Sequence, residues 1–287
     1  MLQASASGAV VGLFYALVAA GLYVAVVGTG LYNLAYGAGM LASGYAAFVL
    51  HRMGLPLPAA FLVALAVGVM LGLLAEASLR AARVPHEASG GPEQGRAIVL
   101  TLALALVIDA ALQVAAGSNP RRLSLGLESV GVGIGAVRVV ADQAVAAGVA
   151  VVLVVALDLL LTRRPLGRAI RAAGQGPELA QAYGLAPARY RRVAWALSGL
   201  LSGVSGFLFA TVAYLQPYGE EALLFASIAL VVAVVPGRAV ALLAAGALLG
   251  AFQGTASYWL GAQWQAVWFF LAFSVLVLLR AGKRSWT

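Results

Sequence analysis

Runs of about twenty apolar residues, broken by short polar connections, recur along nearly the whole chain. A helix rising ~1.5 Å per residue needs about that many residues to cross the hydrocarbon of a bilayer. The runs fall near 8–28, 31–50, 57–79, 97–116, 140–161, 193–215, 222–236, 239–259 and 264–280. A soluble domain of 287 residues could not bury a chain that is 63% hydrophobic and 10% charged. Lipid offers no water to backbone N–H and C=O groups, so each span must satisfy them internally as a helix. A transmembrane barrel would need alternating ten-residue strands, and that pattern is absent. The expected fold is an all-α, polytopic membrane bundle of eight or nine segments, one transmembrane domain over residues 1–287.

The cations sort by side. The longest polar connection, 162–192, holds seven arginines: Arg163, Arg164, Arg168, Arg171, Arg189, Arg191 and Arg192. If it is cytoplasmic, alternation of the spans puts Arg80, Arg83, Arg96, Arg238, Arg280, Lys283 and Arg284 on the same side. Fourteen of the eighteen Lys and Arg are then inside, and Arg52, Arg121, Arg122 and Arg138 outside. This places the C-terminus in the cytoplasm. Met1–Ser7 carry no basic residue, so the first run is expected to be a retained span and not a signal peptide. Leu31–Gly39 is rich in glycine and polar groups for a span. Nine crossings would put Met1 outside; a broken or re-entrant second element would reduce the count to eight and put it inside.

Glycines recur four apart at Gly8/Gly12, Gly68/Gly72, Gly199/Gly203 and Gly246/Gly250/Gly254. Each set lies on one helix face and lets backbones approach closely, either within one bundle or between subunits. Ionisable groups inside the spans are few. Asp109 is the one carboxylate well inside a run, Asp158 lies near the inner boundary within reach of Thr162, Arg163 and Arg164, and Glu76 precedes Arg80 by one helical turn. The last two read as interfacial salt-bridge residues. Asp109 leaves open an ion-coupled secondary transporter, which would depend on it.

Catalytic and cofactor chemistry find little support. The chain has no cysteine, no HExxH and no GxSxG, and His51 and His86 fall in opposite loops. Lys283, the single lysine, lacks the glycine spacing of a phosphate-binding loop, and Gly131-Val132-Gly133-Ile134-Gly135 reads as a flexible turn. We expect no enzyme activity, no cofactor and no metal; ATP, if consumed, is bound by another chain.

Within the arginine-rich connection, Leu166, Ile170 and Ala173 share one helical face, with Arg164, Arg168 and Arg171 around another. Pro177 suits a first helical position, Glu178 the positive end of the helix dipole, and Gly184 a C-terminal stop. The expected product is a short helix over Pro177–Tyr183 that presents Leu179 and Tyr183. A basic loop resting on anionic headgroups is the plainer alternative.

Asn33-Leu34-Ala35-Tyr36-Gly37, followed by Met40, Gly44 and Tyr45, resembles the second-helix signature of permease subunits of branched-chain amino-acid ABC importers, of the LivH type. Gly167-Arg168-Ala169-Ile170-Arg171-Ala172, then Ala182, Gly184 and Leu185, is similar to that family's cytoplasmic loop in order and spacing. Glu76 and Leu112-Gln113 also fit, and the resemblance runs from about residue 8 to 280. It departs at Tyr36, where the family has His, at Ala38, and at Val234-Val235-Pro236-Gly237-Arg238, where the family has a Gly-Gly-x-Gly-Ser turn. The resemblance implies a permease subunit in a bacterial cytoplasmic (inner) membrane, with separate ATPase subunits, a second, LivM-like permease subunit and an extracytoplasmic solute-binding protein. It implies that Gly167, Arg168, Arg171, Pro177, Glu178, Leu179, Ala182, Tyr183 and Gly184 couple to the ATPase, and that Asn33, Tyr36 and Gly37 line the path. The implied cargo is a small polar solute: a branched-chain or related amino acid, or an amide such as urea.

Overall fold

The computed structural model describes residues 1–84, 92–117, 119–125, 131–134, 137–235 and 237–261, with Val267, Leu271 and Ser274. Its elements are α1 (Leu2–Thr29), α2 (Tyr36–Arg52), α3 (Leu57–Ala81), α4 (Pro92–Ala116), β1 (Gly131–Ile134), β2 (Val137–Val140), α5 (Ala141–Arg163), α6 (Pro165–Gln175), α7 (Pro177–Ala182), α8 (Pro187–Val212), α9 (Glu221–Val234) and α10 (Ala241–Leu260). Five of these helices are long and apolar enough to cross a membrane: those spanning Gln3–Thr29, Leu57–Ala81, Glu93–Ala116, Ala141–Arg163 and Pro187–Val212. The expected span at 264–280 lies almost entirely outside the described residues, as do His86, Pro236, Arg280, Lys283 and Arg284.

One element departs from the all-helical expectation. Residues Gly131–Ile134, read as a turn, pair antiparallel with Val137–Val140, Gly131 opposite Val140 and Ile134 opposite Val137. The β-branched residues Val132, Ile134, Val137, Val139 and Val140 favour an extended chain, and only two residues separate the strands. The glycines dominated the sequence pattern and hid the valines between them.

The chain divides into two compact units, each assembled from several segments. In the first, made of 1–20, 124–156 and 221–287, α1 and α10 run antiparallel. Gly8 faces Gly250 and Gly12 faces Gly246, with Ala4 against Gly254; a Cβ on any of these glycines would overlap the opposing backbone. Tyr15 of α1 donates its hydroxyl to Gln253 Oε1 at 2.9 Å, and Ser227 of α9 donates to the Tyr15 carbonyl at 3.4 Å. After α9, the Gly237 N–H bonds the Val234 carbonyl, so a tight turn forms here without the family's full glycine run.

The second unit, made of 21–123 and 157–220, is built on α3 and α8, which cross antiparallel with Gly68 and Gly72 against Gly199 and Gly203. Both glycine pairings are internal, so the spacing marks a tight bundle. α2 runs parallel to α8, with Met40 and Gly44 against Gly206, and α4 packs on α2 and α3. At one end of this unit lie α6, the last turns of α1 and the start of α8: Gly28 faces Ile170 and Ala194, and Gly174 sits against the Val27 and Gly28 backbone. At the other end Arg121 lies 5.6 Å from the Phe48 ring centroid and exchanges backbone hydrogen bonds with Leu215. The arginines of this unit therefore part as the sequence predicted. Arg80 and Arg191 gather at the α6 end, where Arg96 bonds the Ala82 carbonyl at 3.3 Å; Arg52, Arg121 and Arg122 lie at the far one.

The second span is broken, yet its helix still runs from the α6 end of this unit to the opposite one. α1 ends at the α6 end and α2 ends in Arg52 at the opposite one. Helix α2 has 17 residues, about 25 Å, short of the ~30 Å hydrocarbon. The remainder is irregular backbone from Gly30, at φ +71, to Ala35. Such backbone persists at membrane depth only inside protein. Accordingly Leu31 is buried among Leu79, Val84 and Trp195, and Ala35 packs against Ala105 of α4.

Candidate functional site

Two places in the second unit carry the residues singled out by sequence. The first is α6–α7. Arg164 is extended (φ −91, ψ 146), and Pro165 opens α6 where its missing N–H costs nothing. Gly167 lies on the Leu160 and Leu161 backbone, closer than any side chain would permit. That contact sets the rotation of α6: Gly167, Ile170 and Ala173 form the buried face. Leu166, expected beside Ile170 and Ala173, is instead 40% exposed at its edge. Arg168 points to solvent, while Arg171 is half buried and donates to the Tyr23 hydroxyl of α1 at 3.1 Å. Asp158, 2% exposed, lies within electrostatic reach of the same hydroxyl, and Arg163 and Arg164 are exposed.

Helix α7 follows after Gly176, with Pro177 in its first turn, buried, and Glu178 exposed. It stops as expected. Gly184 is left-handed at φ +79, its N–H bonds the Gln181 carbonyl at 2.9 Å, and the Leu185 N–H bonds the Ala180 carbonyl at 3.0 Å. This pair of bonds is a Schellman cap, which only glycine enters without strain. The helix covers Pro177–Ala182, with Tyr183 as the capping residue. Pro177 and Ala180 face the protein, whereas Leu179 is 65% and Tyr183 80% exposed, alongside Ala182.

The second place is the start of α2. Tyr36 is buried, its ring against Gly21 and its hydroxyl 3.3 Å from Ser205 Oγ; Ser202 donates to the Tyr36 carbonyl at 3.2 Å. Asn33, 3% exposed, has an Oδ1 with no hydrogen-bond partner among the described residues. Asn33, Tyr36, Gly39, Gly68, Gly72, Gly199 and Ser202 line a cavity of about 10 Å³. One water fits such a space and an amino acid does not. Gly37 is buried in the first turn of α2 and is not among the lining residues. Asp109 is buried on the α4 face that also carries Ala97, Thr101 and Ala105, and is not among the lining residues.

Two features escaped the sequence reading. Glu76 was matched to Arg80, but its shorter contacts are to Arg191: Nε and Nη2 donate to Oε1 at 3.1 and 3.0 Å, both side chains buried, while Arg80 stands 3.9 Å from Oε2. The glycine register held the signal. Gly68 against Gly199 and Gly72 against Trp195 is a register that puts Arg191 opposite Glu76 one turn further on. The other is the serine stripe Ser198, Ser202 and Ser205, spaced to share the buried face of α8 that meets α2.

A family model described as "Branched-chain amino acid transport system / permease component" matches residues 5–281. The chain belongs to this family. It is thus a multi-pass membrane permease component. No curated protein matches the permease. Among solved structures it is similar to a chain of PsaBC from Streptococcus pneumoniae in complex with Fab, with a TM-score of 0.51 and 12% identity, over 95% of this chain and 89% of that one. At that identity the likeness speaks to the fold alone, and it covers almost the entire chain.

Proposed function

We propose that this permease forms half of the membrane pathway of an ATP-driven importer, with α6–α7 as the surface on which a separate ATPase subunit docks. The observation that carries this reading is α7: a helix anchored by Pro177 and Ala180, stopped by a glycine cap, and holding Leu179 and Tyr183 out to solvent at 65% and 80% exposure. A large apolar side chain and a tyrosine on a rigid six-residue helix suit the pocket of a protein partner better than a headgroup layer, where cations alone would suffice. Arg168 and Glu178 supply charge at the rim. The link from α6 to the spans runs through Arg171 and Tyr23, and through Gly174 on the end of α1.

The cargo is a small polar solute, a branched-chain or related amino acid or an amide. A path along Asn33 and Tyr36 carries few fixed charges, which suits a zwitterionic or amide solute selected beforehand by an extracytoplasmic binding protein. A second permease subunit completes the path, and Tyr36→His should then alter flux more than specificity. L179A/Y183A tests the docking surface. If the two are interface anchors worth ~2 kcal/mol or more, the ATPase should copurify at least thirty-fold less readily while the permease remains folded. Undiminished copurification of the ATPase with the double variant would remove the assignment of α7.

A further inference from the structure

Between α3 and α8, on the face of the second unit turned away from α2, runs an open groove of about 570 Å³. It is lined by Leu65, Ala66, Val69, Met70, Leu73 and Leu200. Each of these side chains is apolar. At its α6 end the chemistry reverses. With 100° between successive residues, Arg80 stands within about 20° of both Val69 and Leu73 on α3, and Arg189 within about 20° of Leu200 on α8. Both arginines are exposed, as is Arg192, about one turn along α8 from Arg189. Among the described residues, Glu76 is the one acid paired with any of these three arginines. Glu76, the acid within reach of Arg80, is already matched by buried Arg191, so Glu76, Arg191 and Arg80 together carry one net positive charge. Arg189 and Arg192 add two more.

We infer that this groove is a binding site for one anionic phospholipid, with an acyl chain along Leu65–Leu73 and the phosphate at Arg80, Arg189 and Arg192. The dimensions agree. Fifteen residues from Leu65 to Arg80 span roughly 22 Å, and half of a bilayer with its headgroup layer is about 20–22 Å. Each exposed cation near the headgroups attracts an anionic lipid by about 1 kcal/mol. A second copy of the chain fits this face less well. A two-fold axis along the membrane normal would bring the same arginines together at the same depth, with like charges opposed.

The test is native mass spectrometry of the intact permease, titrated with palmitoyl-oleoyl phosphatidylglycerol or with phosphatidylcholine of the same chains. One phosphatidylglycerol should remain bound under conditions that strip phosphatidylcholine. R80Q/R189Q should weaken that binding roughly thirty-fold, the equivalent of two contributions of about 1 kcal/mol. R163Q/R164Q, which removes the same charge at the junction of α5 and α6, should leave it unchanged. M70W/L200W keeps every charge and fills the groove; it should also release the lipid, and it decides the matter if R80Q/R189Q does not fold. Equal retention of both lipids, equal effects of the two arginine pairs, or a photo-crosslinker at Met70 that captures protein in place of lipid would each overturn the assignment.

Discussion

At the scale of single residues, the Glu76–Arg191 pair is the sharpest case of an interaction that composition could not rank. The sequence offered Arg80 at helical spacing, a neighbour that is 59% exposed and 3.9 Å away. Arg191 wins because α8 starts beside the end of α3, and both partners are then out of water, where an unpaired charge is expensive. Removing one partner should therefore matter more than removing both. We expect R191M to destabilise the permease by ~3–5 kcal/mol and E76Q/R191M to recover much of that loss. R80M, acting on a solvated charge, should cost under ~1 kcal/mol. Thermal unfolding in detergent, followed by tryptophan fluorescence, checks the order; Trp195 lies one turn from Arg191. Equal losses for R191M and R80M would mean that the buried geometry does not hold.

At the scale of elements, most boundaries were legible because the patterns that set them are local. The expected span at 57–79 became α3 at Leu57–Ala81, and the short helix expected over Pro177–Tyr183 ended one residue earlier. Proline at a first turn and glycine at a stop act through their own φ angles and need no tertiary context. The glycine quartets were legible as close contacts but not as pairs, since spacing within a helix says nothing about its partner. The break before α2 was legible as an anomaly. Its outcome depended on where Tyr36 finds Ser202 and Ser205, which lie about 170 residues away in sequence. The glycines at the crossings and the glycine at the cap should respond differently to substitution. Gly199→Leu puts a side chain into the Gly68 carbonyl and should cost ~1–3 kcal/mol or more through overpacking, read as a lower melting temperature. At Gly184, nothing stands within 4 Å of an added Cβ, but φ is +79. Gly184→Ala should therefore cost ~1 kcal/mol, confined to fraying of α7, with Gly184→Asn milder than Ala because asparagine tolerates the left-handed region. Amide exchange over 177–185 would separate that local loss from the global one expected at Gly199.

At the scale of the whole molecule, the question left by the sequence is what drives transport. Class and family were legible, because apolar length, cation sidedness and the α6–α7 spacing are properties of the chain alone. The driving force was not, because a permease that borrows ATP hydrolysis carries no mark of it beyond a docking surface. Asp109 is the one residue on which the two readings diverge. It is buried at 4% exposure within a helix fit to cross the membrane, and an acid in that position is a default candidate for ion coupling. Yet it is not among the residues that line the cavity at the start of α2. If hydrolysis by partner subunits drives the cycle, Asp109→Asn keeps the shape and loses only a charge. Uptake in proteoliposomes holding the full complex should then stay within about two-fold of wild type, because a charge that does not couple to the cycle contributes nothing to its driving force. It should also follow ATP and persist when the proton and sodium gradients are collapsed. An ion-coupled carrier gives the opposite pair of results: Asp109→Asn abolishes uptake, and an ionophore does the same with ATP present. Measured together, the two readouts distinguish a folding defect, which would lower uptake under every condition, from loss of coupling.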